Sequence, residues 1–475
     1  LKPGKQFHKR PSLIAATVAL LIALVTIPTA LVLTARGEAQ PAAQSMTKPA
    51  AASEKPEQPR FAARTFNSKV AFKVLIEEEA SVYQKPIGCT PSTAPLEIPA
   101  CWLWWVQPLA PVKDWDLLAQ EIGRNKVPGL VLYPATDSDL RHLVGLTELR
   151  YLFLADNRIT DAGLAHLKGL TGLQKLRLQD TQITDAGLAH LKGLSGLTVL
   201  ELWKATQITD AGLEHLKALT GLQRLLLLGG TQITGVGLEH IEGLTGLQYL
   251  CLSDTQVTNT ALIHLKGLTG LQELWLNGTQ ITDAGLAHLN RLTGLTVLRL
   301  DNTRITDAGL EHLGDLTGLR SLQLSNTQVT DAGLEHLKGL AGLDDLALTG
   351  TRITDAGLAH LKGLTKLKGL SLNDTQVTDA GLEHLKGLTG LQFLNLSGTR
   401  ITDAGLEHLK GLVGLDYLDL TGTRITDAGL EHLKGLAGLK SLIVTGTQVT
   451  DASVHQLEHS LPMTTIVNVI KAQAK

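Results

Sequence analysis

One pattern constrains this chain more than any other: from residue 130 to residue 460 the same block of leucines returns about every 24 residues. Leu173, Leu176, Leu178, Thr181, Ile183, Thr184, Asp185, Gly187, Leu188, Leu191 and Leu194 form one copy. The threonine at 181 reappears at Thr206, Thr231, Thr255 and Thr279, then at regular steps to Thr447, with Asn157 in the first clear copy. That makes thirteen recognisable units, preceded by a degenerate one marked by Leu130, Leu140, Leu143 and Leu146. A unit of this length cannot bury its own leucines, so the copies must stack and share one continuous core.

Each unit reads as one coil. Leu176-Arg177-Leu178 puts two leucines on one side of a strand and a variable residue on the other. Thr184 is suited to cap the following short helix, and Asp185 to sit at its positive end. Leu188 and Leu191 face inward, and Gly193 is placed to take the left-handed conformation that stops the helix. The expected fold class is therefore α/β: a curved solenoid with a parallel sheet on its concave face and short helices on its convex face.

The unit "LTGLQKLRLQDTQITDAGLAHLKG" resembles a leucine-rich repeat of the ribonuclease-inhibitor-like type, which also occurs in bacterial surface proteins such as internalins. The resemblance covers 127–470. It implies a protein-binding scaffold without catalysis or cofactor, in which the concave face holds the partner, a protein or a glycan. The chain departs from the F-box members of that group, because no F-box-like segment is recognisable. Bacterial proteins of this type are sometimes joined through a membrane helix to a cytoplasmic kinase, although no kinase motif is visible here; near-identical coils also suit a stiff structural spacer in the envelope.

The region before the repeats divides by composition. Residues 1–11 carry Lys2, Lys5, Lys9 and Arg10. Residues 12–35 hold no charged side chain and are long enough, as a helix, to cross the hydrocarbon core of a bilayer. The basic flank directs the N-terminus to the cytoplasm and the repeats outside. Residues 36–65, rich in Ala, Pro and Gln, read as a disordered linker. Residues 66–129 read as an irregular N-terminal cap, with a strand near Val70–Ile76, an aromatic knot at Trp102, Trp104 and Trp105, and a helix from Asp114 to Ile122. Residues 461–475 read as a C-terminal cap and tail. Cys89 and Cys101 are close enough in sequence to pair outside the cytosol, and Cys251 sits alone on a repeat strand.

Two ladders imitate active sites. Thirteen histidines, from His142 to His432, and a row of aspartates beginning Asp161, Asp185 and Asp210 recur at fixed positions. A row without converging ligands does not satisfy zinc, and the histidine ladder is expected to point to solvent and to charge below about pH 6.5. No Gly-x-Ser-x-Gly elbow, P-loop or dinucleotide fingerprint is present. With 43 basic and 45 acidic residues the chain has no electrostatic bias toward nucleic acid.

Variation among the copies marks the binding face. The outward strand residues run Phe153, Arg177, Glu201, Leu226, Cys251, Trp275 and Arg299, then Gln323, Ala347, Ser371, Asn395, Asp419 and Ile443. The first part of that row is large and varied. Tyr151, Arg224 and Tyr249 flank it, and the coils ending at Thr206 and Thr231 are each one residue longer, around Trp203-Lys204-Ala205 and Leu228-Gly229-Gly230. The expected site spans 151–299 and comprises Tyr151, Phe153, Arg177, Trp203, Arg224, Leu226, Tyr249, Trp275 and Arg299, with Leu226 and Trp275 exposed.

Overall fold

The structure, a computed structural model, describes residues 61–77, 85–155 and 158–468. The apolar span 12–35, the linker as far as residue 60, Asn157 and the last residues of the tail lie outside the described residues. Among the described residues no helix is long and apolar enough to cross a membrane. Glu54–Lys475 forms one compact unit.

Within that unit the repeats coil as one array. Strands Gly129–Leu132, Tyr151–Ala155, Lys175–Gln179, Val199–Trp203 and Arg224–Leu228 pair in parallel. Three-residue strands continue the sheet from Tyr249–Cys251 to Ser441–Ile443, and Thr465–Val467 ends it. Register is kept throughout, so Leu176, Leu200, Leu225 and Leu250 sit side by side. These leucines are fully buried, as are Leu178, Ile183, Leu188, Leu191, Leu194 and their counterparts. Truncating any one of them to alanine in such a core costs about 2–5 kcal/mol.

Most convex segments are a single α-turn followed by a 3-10 turn, as in Asp185–Leu188 and Ala189–Leu191, while Val236–Ile241 and Asn259–Leu265 are 3-10 throughout. Thr184 caps the Asp185–Leu188 turn by accepting from the Ala186 N–H at 3.2 Å. The helix does not stop on a left-handed Gly193; the space beside that residue is open, with the Lys168 carbonyl 3.9 Å from where a Cβ would sit. The left-handed residue lies instead just before most of the recurring threonines, at Asp180, Asp254, Gly278, Asn302, Asn326 and Gly350 among others. Asp, Asn and Gly are the residues that tolerate this conformation at least cost. The threonine then closes the turn, as Thr303 Oγ1 does by donating to the Leu300 carbonyl at 2.5 Å.

The aspartate ladder turns out to be the bond between coils. Asp161 Oδ1 accepts from the Thr184 N–H at 2.7 Å and Oδ2 from its hydroxyl at 2.6 Å. The same double link recurs from Asp137–Thr160 to Asp427–Thr450, except at Gly235, which has no side chain, and at Asn259, whose Oδ1 accepts from the Thr282 N–H while its Nδ2 donates to the Thr282 hydroxyl. It also explains the glycine of the Thr-Asp-Ala-Gly-Leu motif. A Cβ on Gly187 would lie 2.3 Å from Asp161 Oδ1, because the carboxylate of the preceding coil occupies that space. One place tests the rule within the chain. Gly235 stands where an aspartate belongs, and in the next coil Ala261 stands where the glycine belongs; the Ala261 Cβ fills the space, 2.2 Å from where a Gly235 Cβ would be.

The cap is more regular than expected. Phe72–Glu77 pairs antiparallel with Lys85–Cys89 and with Leu103–Pro108, and the last of these joins the repeat sheet through Val106 and Leu130. Alternation along the strand sends Trp104 into the core and Trp105 to the opposite face. With no repeat to compare against, that segment carries only its short alternation as a signal. The helix is Trp115–Arg124, capped by Asp114. Cys89 is exposed and Cys101 is buried. At the other end helix Asp451–Ser460 buries Val454 and Leu457 and turns a polar face outward.

Removing one carboxylate measures the link. Asp331→Ala deletes both bonds to Thr354 and should cost about 1–3 kcal/mol in denaturant unfolding. Gly357→Ala, whose Cβ would lie 2.4 Å from Asp331 Oδ1, should destabilise the native chain and cost much less in the Asp331→Ala background. Additive effects would contradict this packing.

Candidate binding face

Side chains on the concave face form three rows in register, two residues apart along each strand. The upstream row includes Tyr151, Lys175, Arg224, Tyr249 and Glu273; the central row includes Phe153, Arg177, Glu201, Leu226, Cys251, Trp275 and Arg299. Trp203 and Asp301 belong to the downstream row.

The structure divides eight of the nine expected residues into two groups. In the first, Arg177 pairs with Glu201 at 2.9 Å and lies over the Tyr151 ring at 5.7 Å, while Trp105 of the cap meets Tyr151 edge-on at 5.6 Å. Phe153 packs beside them. Lys175 reaches back to Glu77 at 3.3 Å. Burial pushes the Tyr151 phenol up to about 12. In the second group Arg224 covers the Tyr249 ring at 4.0 Å, Tyr249 tilts against Trp275 at 5.2 Å, and Arg299 covers Trp275 at 4.0 Å. Guanidinium, ring, ring and guanidinium thus follow one another across neighbouring strands. Trp203 stands apart, half-buried in the downstream row opposite Leu228.

Exposure differs from expectation. Leu226 is 7% exposed, Tyr249 4% and Cys251 0%, and together they make a small apolar cluster against which Trp275 is half-buried. Strands about 4.8 Å apart press their outward side chains shoulder to shoulder, so pointing outward does not mean standing clear. Arg224 is the exposed member; Phe153, Arg177, Trp203, Trp275 and Arg299 are half-buried. Burial pushes the Cys251 thiol up to about 11, which keeps it protonated and inert at neutral pH.

Polar residues continue the face. Burial raises the carboxyls of Glu273, Asp301 and Asp345 above the usual range, although Arg299 opposes the shift in each. Asp301 Oδ1 accepts from the Ser325 N–H at 3.0 Å, and Asp345 Oδ2 accepts from Gln323 at 2.6 Å and Ser321 at 3.0 Å. Confining the flanking row to the earlier half of the face missed Phe393 and Tyr417, whose rings stack in the upstream row at 4.6 Å and 9°. Their spacing of 24 residues was the available signal.

The convex ladders carry no comparable arrangement. The histidines do not stand free in solvent: the side chains of His142 and His240 are 18% and 19% exposed. Burial, and then Lys168, lower the His190 pKa, so that ring charges further into the acid range than a free imidazole. His142 Nδ1 meets Asp116 at 2.8 Å and His264 Nδ1 meets Glu242 at 2.6 Å. Among the described residues no three His, Cys, Asp or Glu side chains are grouped to hold a metal ion.

A raised carboxyl pKa means that folding favours the protonated acid. The ionised form therefore opposes the fold at neutral pH, and that penalty disappears as the pH falls through the folded-state pKa. Asp301→Asn keeps the acceptor for Ser325 and removes the charge, so it should raise Tm at neutral pH. The gain should shrink toward about pH 4. A gain that is the same at both pH values would contradict the assignment.

Sequence comparisons agree with this architecture. The family described as "Leucine rich repeat" matches residues 293–353, 341–401 and 415–434, and "Leucine Rich repeats (2 copies)" matches 147–190 and 269–314. Among solved structures, the internalin InlF of Listeria monocytogenes is similar at 28% identity and a TM-score of 0.55, over 68% of this chain and 88% of that one. A leucine-rich-repeat protein of Leptospira interrogans is similar in fold at 20% identity and a TM-score of 0.53, over 74% of this chain and 86% of its own. No curated protein sequence matches the chain.

Proposed function

The chain is a leucine-rich-repeat protein, and on that footing we propose that it is a membrane-tethered module that binds a protein on its concave face and catalyses nothing. Proteins of this fold generally serve as non-enzymatic binding scaffolds. The observation that carries the reading is the run Arg224, Tyr249, Trp275 and Arg299, with both guanidinium groups 4.0 Å from a ring. Arginine, tyrosine and tryptophan dominate interface hot spots, and side chains already held in place lose little freedom on binding. Phe153, Arg177 and Trp203 extend the surface toward the cap, while Tyr151 and Leu226 support it from beneath. A partner pulled from native extract by the full chain should be lost on Trp275→Ala or Arg224→Ala and kept on Ile443→Ala. Retention by both folded variants would place the site elsewhere.

The tether is the uncharged stretch 12–35, with the basic residues 1–11 on the cytoplasmic side and the repeats outside. A protease added to intact cells should then remove the repeats from the cell-bound chain. Complete protection, with digestion only after lysis, would reverse the orientation.

A further inference from the structure

We propose that the later half of the concave face holds a second, distinct subsite, above Gly369, that accepts an arginine side chain of a protein partner between the Phe393 ring and the Asp345 carboxylate. Several rings on this sheet are paired with an arginine. Tyr151 is covered by Arg177 at 5.7 Å, Tyr249 by Arg224 at 4.0 Å and Trp275 by Arg299 at 4.0 Å. In each case the arginine belongs to an adjacent strand. The pattern is not followed at Phe153 and Trp203, nor by Phe393 and Tyr417. The latter two stack on each other at 4.6 Å, nearly parallel, and among the described residues no guanidinium covers either ring.

The register supplies the vacancy. Asp345, Gly369, Phe393 and Tyr417 follow one another on consecutive strands. Tyr417 occupies one face of the Phe393 ring, and the strand on the other side offers only Gly369, which has no side chain. Across that gap stands Asp345. Its Oδ2 is committed to Gln323 at 2.6 Å and Ser321 at 3.0 Å, while its Oδ1 leans over Gly369, 2.4 Å from where a Cβ would be. The neighbouring central-row residues Ala347 and Ser371 are small. An aromatic face opposite a carboxylate is the pairing that suits a planar cation, through ring contact on one side and charge-assisted hydrogen bonding on the other. Arg320 and Lys368 are both engaged with Asp344, at 3.4 and 3.7 Å, and Arg299, which also acts on the Asp345 carboxyl, is held over the Trp275 ring.

The subsite rests on the concave-face reading only for the source of the arginine, so its test uses no partner. The full chain is titrated against N-acetyl-arginine N-methylamide and its neutral citrulline counterpart, with saturation transfer to each probe followed by NMR. Transfer to the arginine probe should exceed that to citrulline by roughly threefold or more. Asp345→Asn and Phe393→Leu, each checked for folding by its circular dichroism melt, should both bring it to the citrulline level, while Ile443→Ala leaves it unchanged. Equal transfer to the two probes on the native chain, or a preference that survives both subsite substitutions, overturns the proposal. That failure would leave the Arg224–Arg299 surface untouched, just as retention of the partner by Trp275→Ala and Arg224→Ala would leave this subsite standing.

Discussion

The carboxylate that nearly every coil lends to the next is the interaction on which the rest of the molecule depends. Asp307 takes both the N–H and the hydroxyl of Thr330, at 2.7 and 2.6 Å, and Asp331 does the same for Thr354. Leucines supply the cohesion of the core, but burial of apolar area is indifferent to small slips between coils. A two-point hydrogen bond is not. It ties the start of each convex turn to its predecessor, and the strand on the opposite side of the coil follows in register. Glycine enters the motif for the same reason, since the lent carboxylate needs the space that any side chain would take.

Register on the convex side becomes geometry on the concave side. Because consecutive strands neither slip nor fan apart at their pairing, a residue on one strand meets a predictable neighbour on the next. Arg224 can lie over Tyr249, and Arg299 over Trp275, only because those pairs are direct cross-strand neighbours. The face is therefore a grid whose chemistry is written by the variable positions, while the repeated positions keep the grid in place. Cations and rings occupy its earlier half. Hydroxyls, amides and carboxyls occupy the later half, interrupted by the Phe393–Tyr417 stack.

The coil itself was legible in the chain, because the spacing of Leu173, Leu176, Leu178, Leu188 and Leu191 is compatible with one way of burying them. The capping role of Thr184 was legible too. The partner of Asp185 was not, since the groups it binds belong to Thr209, 24 residues away; from local sequence it reads as a charge at the end of a helix. Depth was a second blind spot. Alternation says which way Leu226 and Tyr249 point, yet how far neighbours cover them depends on strand spacing and on the bulk of residues from other coils. Gly193 misled for a related reason: a glycine near a helix end suggests a left-handed stop, whereas a 3-10 turn ends this one without it. The cap, read without any repeat as a guide, kept its antiparallel pairing hidden apart from the alternation around Phe72 and Trp104.

The chain contains its own control for the coil-to-coil link. Thr258 occupies the same place as Thr330 and Thr354 and is half-buried as they are, but the preceding coil offers Gly235 in place of an aspartate. Residue-resolved amide hydrogen exchange on the folded chain compares them directly. If the carboxylate link holds the coils together, the Thr258 amide exchanges markedly faster than those of Thr330 and Thr354, with protection weakened locally around Gly235. Equal protection at all three would mean that leucine packing alone sets the register, and the aspartate ladder would lose the role given to it here.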